Sequence, residues 1–430
     1  MIFDIVTIVI ALLQLNNYSD SLLAKIMPLA VYLIYLLYYS VKNPTFSIWL
    51  LVRRYPEIFV LLFVIFFGLV RSSGPEFSTA FLWNRGISYI LLFLGLCVSL
   101  DYAKKVGFSI LDMIANFVVK PFLGFALINF LLWALNIKVK ESIVLGDIVD
   151  KQAVLLSYLG INVDRVEFTL AAGFNNYAVI IGGLFTVSLF LTYSRQYKRL
   201  AQFSVLVSVI TLLLIDSRAS LFFPILVFFL VKLFRNKEVF SRLIPYFALL
   251  LLVGPIILVI VMPLLAELPA LQSLSRNSEE LATGNSRFFI WGICLGEFLQ
   301  FKINHLYGYG DFGHFGSGLS SIWASFFVTW ENAEAKTPHS TLFGVLLDYG
   351  YLGLVTYIYV FYTVFKRVQA NWHLLLLGNY TVFAFFVFTL LVGITETLAG
   401  FYIPNFLILF TLVLIISLSL DYRSASRKLD

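Results

Sequence analysis

Charged side chains are scarce in this chain: Asp, Glu, Lys and Arg together supply 13% of its 430 residues. A soluble globule carries roughly 25%, so too little charge is present here to clothe one, and that class is excluded. Cysteine is nearly absent. Cys97 and Cys294 are the only two, both in apolar surroundings and in no motif, which excludes a disulfide framework and a thiolate metal centre. Internal repeats, low-complexity tracts and any composition break that would mark a soluble domain are also missing, so a single membrane domain over residues 1–430 is expected. What is present instead is apolar bulk. Sixty per cent of the residues are hydrophobic and 17% aromatic, and the mean hydropathy is +0.91. The apolar runs are continuous rather than alternating, which points to membrane helices and not to a barrel.

The most economical reading is an all-α polytopic membrane protein with about twelve spans. They cover 2–15, 22–40, 57–70, 86–100, 121–137, 174–193, 201–215, 219–234, 243–262, 341–364, 372–393 and 403–420. The first run lacks a basic leader and a small-residue cleavage site, so it reads as a retained helix. Segment 105–120, with Lys104, Lys105, Asp112 and Lys120 among apolar residues, reads as an interfacial amphipathic helix.

The net charge of +6 does not imply nucleic acid, because the cations are scattered through short loops. Arg195, Lys198 and Arg199 share one loop, Arg235, Lys237 and Arg242 another. Lys366 with Arg367, and Arg423, Arg427 and Lys428, form two further groups. With twelve spans all of these fall on one side, with Lys42, Arg53, Arg54, Lys104 and Lys105. The positive-inside rule makes that side cytoplasmic and puts both termini there. The opposite side receives loops 71–85, 138–173 and 263–340. The last is much the longest and is expected to carry part of an active site. It contains an apolar stretch, 288–301, that reads as a segment touching the membrane surface.

Three features fall on this external face. In Asp216-Ser217-Arg218-Ala219-Ser220, squeezed between two apolar runs, Arg218 stands at the start of a helix, where free backbone N–H groups already favour an anion. In Asn285-Ser286-Arg287-Phe288-Phe289-Ile290-Trp291, Arg287 opens an apolar helix in the same way. In Thr337-Pro338-His339-Ser340, proline favours a first helical turn, so His339 is expected where a long span begins. The plain alternatives are snorkelling or Asp216-paired arginines and an interfacial histidine. His305 and His314 lie in loop sequence and His373 near the cytoplasmic side, which makes them bystanders. Two guanidiniums and an imidazole suit displacement of pyrophosphate from C1 of a sugar. The arginines would hold the leaving anion bidentately, and the histidine would take a proton from the attacking hydroxyl. The external face carries no DxD, HExxH or CxxC motif, and Asp147-x-x-Asp150 reads as a solvated pair, so neither a metal nor a cofactor is demanded.

These residues resemble the O-antigen ligase and O-antigen polymerase superfamily of bacterial membrane glycosyltransferases. The likeness rests on Ser217-Arg218, on Ser286-Arg287-x-x-x-Trp291, and on His339-Ser340 followed after nine residues by Gly350-x-x-Gly353. Gly173-Phe174-Asn175-Asn176-Tyr177-Ala178 resembles an Asn-rich family element, although many members carry Asn or Pro-Asn there. The resemblance covers about 170–365. It implies a GT-C-like fold in the bacterial inner membrane with the active site facing the periplasm. It also implies inverting, metal-independent transfer from an undecaprenyl-pyrophosphate-linked glycan. By that likeness Arg218 and Arg287 bind the pyrophosphate, His339 is the base, and Ser217, Ser340, Trp291 and Asn176 support them. A polymerase would use a lipid-linked repeat unit as acceptor, with a chain-length regulator as partner; a ligase would use lipid A-core. A transporter for lipid-linked sugar is the reading from another class. It would need ionisable residues deep within spans, and Lys25, Asp348 and Glu396 near span ends are its few candidates.

Overall fold

The computed structural model describes residues 2–14, 22–72, 76–137, 152–171, 174–265, 287–324, 337–374 and 376–398, with 411, 412, 416 and 420. Most of the expected span 403–420, the basic group at 423–428, and Asp147, Asp150, Gly173 and Ser286 lie outside the described residues. The principal helices are α1 (Ile2–Gln14), α2 (Leu22–Lys42), α3 (Pro56–Val70), α4 (Glu76–Lys105) and α5 (Ile110–Ala134). After them come α6 (Phe174–Leu191), α7 (Lys198–Ile215), α8 (Arg218–Phe234), α9 (Glu238–Val261), α10 (Arg287–Leu299), α11 (Thr341–Ala370) and α12 (Leu377–Thr395). Among the described residues seven helices are long and apolar enough to cross a membrane, and Ile2–Leu13, Ile26–Lys42 and Pro56–Val70 are shorter apolar helices. The regular structure of the described residues is thus all helical, and the chain is a multi-pass membrane protein by length and composition.

One expectation is corrected. Segment 105–120 is not a separate interfacial helix: from Ile110 it runs through a π-helical turn at Ala115–Val119 into a single 25-residue helix, α5. The polar residues that suggested an interface are absorbed locally. Asp112 closes a capping box with Ser109 and accepts the Tyr197 hydroxyl, while the Lys120 ammonium donates to Asn116 at 2.7 Å. Arg367 also departs from its reading as a loop cation. It lies within α11, is buried, and pairs with Glu57 of α3 while resting on the Tyr55 ring at 4.6 Å.

Helices α6 and α12 form the centre, packed on each other and against α8. Both are apolar all round, the signature of a helix enclosed on every side. Close approach is set at Gly182, where an added Cβ would lie 2.5 Å from the Phe388 ring and 3.1 Å from Cβ of Ser220. α11 packs against α3, α9 and α12.

The Gly350-x-x-Gly353 motif has a structural cause. The segment around 304–313 inserts between α3 and α11: Tyr309 N–H donates to the Leu347 carbonyl, Gly310 N–H to that of Asp348, and Asp311 N–H to that of Gly68. To admit it, α11 breaks at Gly350, whose φ of 67° and ψ of −164° are open only to glycine. A Cβ there would sit 2.5 Å from the Gly308 nitrogen and 2.6 Å from the His305 carbonyl oxygen. Gly350→Ala is therefore expected to cost about 2–4 kcal/mol, from backbone strain plus forced displacement. Gly292→Ala, facing open space in α10, should be neutral. Denaturant unfolding in detergent, followed by tryptophan fluorescence, compares the two, and equal midpoints would contradict the insertion.

Candidate active site

The site is organised by a residue that the motifs did not single out, Glu396. It ends α12 and is buried, with its two carboxylate oxygens divided between three neighbours. Arg287 at the start of α10 donates to Oε1 at 2.7 Å, and the Asn175 amide at the start of α6 donates to the same oxygen at 3.0 Å. Nδ1 of His339 lies 3.5 Å from Oε2, the outer edge of hydrogen-bond reach, as is common before substrate tightens a site. Burial alone would raise the Glu396 carboxyl. Arg287 and His339 outweigh it and hold the group below the usual carboxylate range. Arg287 and His339 each keep about a fifth of their side-chain surface open, so both remain reachable.

His339 does not begin the helix. Ser340 is the N-cap and Thr341 the first helical residue, which leaves His339 just outside in left-handed backbone with φ of 48°. That strained placement is held from three sides. Trp291 Nε1 donates to the Pro338 carbonyl at 2.8 Å, the Thr341 hydroxyl donates to the Glu396 carbonyl at 2.8 Å, and Leu398 N–H returns to the Thr341 oxygen at 3.0 Å. The Arg287-x-x-x-Trp291 spacing now has a reason. Four residues apart on α10, the two side chains share a face; one reaches Glu396 and the other locks the peptide before His339. Ser340 is fully buried, and its carbonyl accepts from Thr397 at 3.5 Å.

Arg218 is the first residue of α8, with Ser217 as N-cap, and pairs with buried Asp216 at 3.6 Å. Asp216 closes α7 in left-handed backbone and accepts from the Leu155 N–H at 3.2 Å. Arg165, absent from the sequence reading, lies at the same turn. Its Nε donates to the Ile215 carbonyl at 2.9 Å and its guanidinium rests 4.2 Å from the Phe174 ring, one residue from Asn175. Depth can be read from Gly182, where Ser220 and Phe388 are level. Glu396 lies eight residues beyond Phe388 and Arg218 two before Ser220, so Arg218 stands roughly 9 Å deeper along the bundle than Glu396. Asn176 is half-buried beside Asn175.

The other ionisable groups of this region serve as structural pins. His305 is fully buried: its Nδ1 accepts from Lys302 N–H at 3.2 Å and its Nε2 faces Glu297 at 3.1 Å. Asp348 accepts from Gly313 N–H at 2.8 Å. Asp311 accepts the Tyr349 hydroxyl at 2.9 Å, and burial pushes its carboxyl up to about 7.

Residues 203–358 match the family model described as O-Antigen ligase. The match supports membership of the O-antigen ligase and polymerase superfamily. No curated protein matches the chain. The matched segment contains Arg218, Arg287, Trp291, His339 and the Gly350 kink, while Asn175 and Glu396 lie outside its limits and complete the cluster.

Proposed function

We propose that the protein is a membrane glycosyltransferase of the O-antigen polymerase type. It takes a glycan from undecaprenyl pyrophosphate and passes it to a hydroxyl of a lipid-linked repeat unit, at the periplasmic face of the inner membrane. The observation that carries this reading is Glu396 holding Arg287 and His339 on one carboxylate. With Nδ1 of His339 turned to Glu396, Nε2 takes the proton from the acceptor hydroxyl as its oxygen attacks C1. Glu396 stabilises the imidazolium so formed, in the manner of a base oriented by a third group. The C1–O bond to phosphate breaks with inversion, and its electron pair leaves on the pyrophosphate. Arg287, beside His339, takes the sugar-proximal phosphate. Arg218, deeper in the bundle, takes the lipid-proximal one. The base and the cations all come from side chains, so this path needs no metal.

The orientation follows from where the cations lie. Arg195 and Lys198 follow the end of α6, Arg235 and Lys237 follow the end of α8, and Lys366 lies in the last turns of α11, in each case at the opposite end of the helix from Asn175, Arg218 and Thr341. By the positive-inside rule the Glu396 end then faces the periplasm. Transfer to lipid A-core is the second reading, favoured by the description of the matched family. Purified protein given one labelled lipid-linked repeat, with and without lipid A-core, separates the two. A ladder from repeat alone means polymerase, and product only with core means ligase. Neither product would overturn the transferase reading.

Arg218→Lys and Arg287→Lys are each expected to lower turnover by about 10²–10³-fold, because an ammonium keeps the charge but not the two-pronged donor. Wild-type turnover in both variants, at normal expression, would return the arginines to interfacial anchors.

A further inference from the structure

At the opposite end of the bundle from Glu396, α6, α8 and α12 close around a cavity of about 250 Å³. The rings of Phe190, Tyr193 and Phe228 wall it, with Tyr193 and Phe228 stacked at 6.1 Å between centroids. Lys232 and Arg235, from the end of α8, supply two cations. The Arg235 backbone is fixed by Trp372 Nε1, which donates to its carbonyl at 2.9 Å. Tyr380 completes the lining. It is 3% exposed, and its buried hydroxyl has no hydrogen-bond partner among the described residues.

Lysine and arginine at a helix C-terminus need no ligand, since they complement the helix dipole. That accounts for the charges. It does not account for a cavity beside them or for a phenol buried against it without a partner, which costs free energy until an acceptor arrives. We propose that the cavity binds the headgroup phosphate of an anionic lipid. Lys232 and Arg235 face the phosphate oxygens, Tyr380 donates its hydroxyl, and the first methylenes of the chain lie between the aromatic rings. The cavity is smaller than the ~300–1,000 Å³ of pockets that enclose a whole drug-sized ligand, so it takes the headgroup and leaves most of the chain in the bilayer. The eighteen residues of α6 separate it from Asn175 by about 27 Å, which is the other leaflet. This is a separate site from the one proposed for the pyrophosphate donor.

The test is native mass spectrometry of the purified full chain in phosphatidylcholine, titrated with phosphatidylglycerol. Wild type is expected to retain one phosphatidylglycerol in preference to the neutral carrier. Lys232→Ala with Arg235→Ala should weaken that retention by about tenfold or more, through loss of charge-assisted contacts. Tyr380→Phe keeps the ring and its packing, and should weaken it about three- to tenfold. Equal retention of the two lipids by wild type would overturn the proposal, as would unchanged phosphatidylglycerol binding in Tyr380→Phe. Displacement of the lipid by millimolar inorganic phosphate would overturn the lipid assignment and leave a free-phosphate site. Glycosyl transfer is not measured in any arm, so the outcome stands apart from the proposed activity.

Discussion

His339→Ala is expected to lower turnover by about 10²–10⁴-fold, the scale of losing a positioned acid–base group, while leaving donor binding near its wild-type value. The two readouts separate because the imidazole faces one oxygen of Glu396, while the proposed phosphate-binding groups are guanidiniums, that of Arg287 on the other Glu396 oxygen and that of Arg218 beside Asp216. An imidazole in left-handed backbone, pinned through Pro338, Thr341 and Leu398, is held more rigidly than an interfacial histidine needs to be. Steady-state turnover beside binding of a labelled pyrophosphate-linked lipid decides the matter. Unchanged turnover would make His339 a structural residue. Lost binding in a folded variant would make it a phosphate ligand, and the base would then have to be sought elsewhere. Of Asp311, Glu331 and Asp348, the carboxylates in that stretch of sequence that could serve, Glu331 lies outside the described residues, and Asp311 and Asp348 are poor substitutes, since both are fully buried and spent on joining the 304–313 segment to α11.

The helical, multi-pass architecture was legible because continuous apolar runs have few other outcomes. The reading failed where local chemistry hid a helix start. Asp112 and Lys120 looked like the polar face of a surface helix, yet one is a cap and the other bonds four residues back, which no hydropathy pattern records. The motif residues were legible as types, because Arg and His at helix starts are chemically distinctive. Their hub was not. Glu396 is the only acid between Asp348 and Asp421, and a lone carboxylate closing an apolar helix is an expensive placement that signals a partner. What the sequence could not supply was that partner, because α10, α11 and α12 meet only in the folded bundle. Arg165 gave no signal at all, since its role is a grip on one carbonyl and one ring.

Glu396→Gln is expected to lower turnover by up to about 10⁴-fold, the loss seen when the group orienting a catalytic histidine loses its charge. The amide keeps the size of the side chain and an oxygen for Asn175 and Arg287, so the variant should fold; what it loses is the charge facing Arg287 and His339. Positioning and bulk stability are separated by combining the change with His339→Ala. If Glu396 acts largely through the imidazole, Glu396→Gln costs much less in the His339→Ala background than in wild type, because residues working as a unit are strongly non-additive. Full additivity would remove the link between them. Stability carries a second, independent signature. The Glu396 carboxyl is held below the usual range in the folded protein, so its stabilising contribution is complete above an unfolded value of about 4.3 and is lost as pH falls through the lower folded one. Wild type should lose stability across that acid window, and Glu396→Gln, with nothing to protonate there, should lose less. Parallel unfolding curves for the two proteins below pH 5 would mean that Arg287 and His339 do not hold this carboxylate in solution, and the constellation on which the proposed chemistry rests would be wrong.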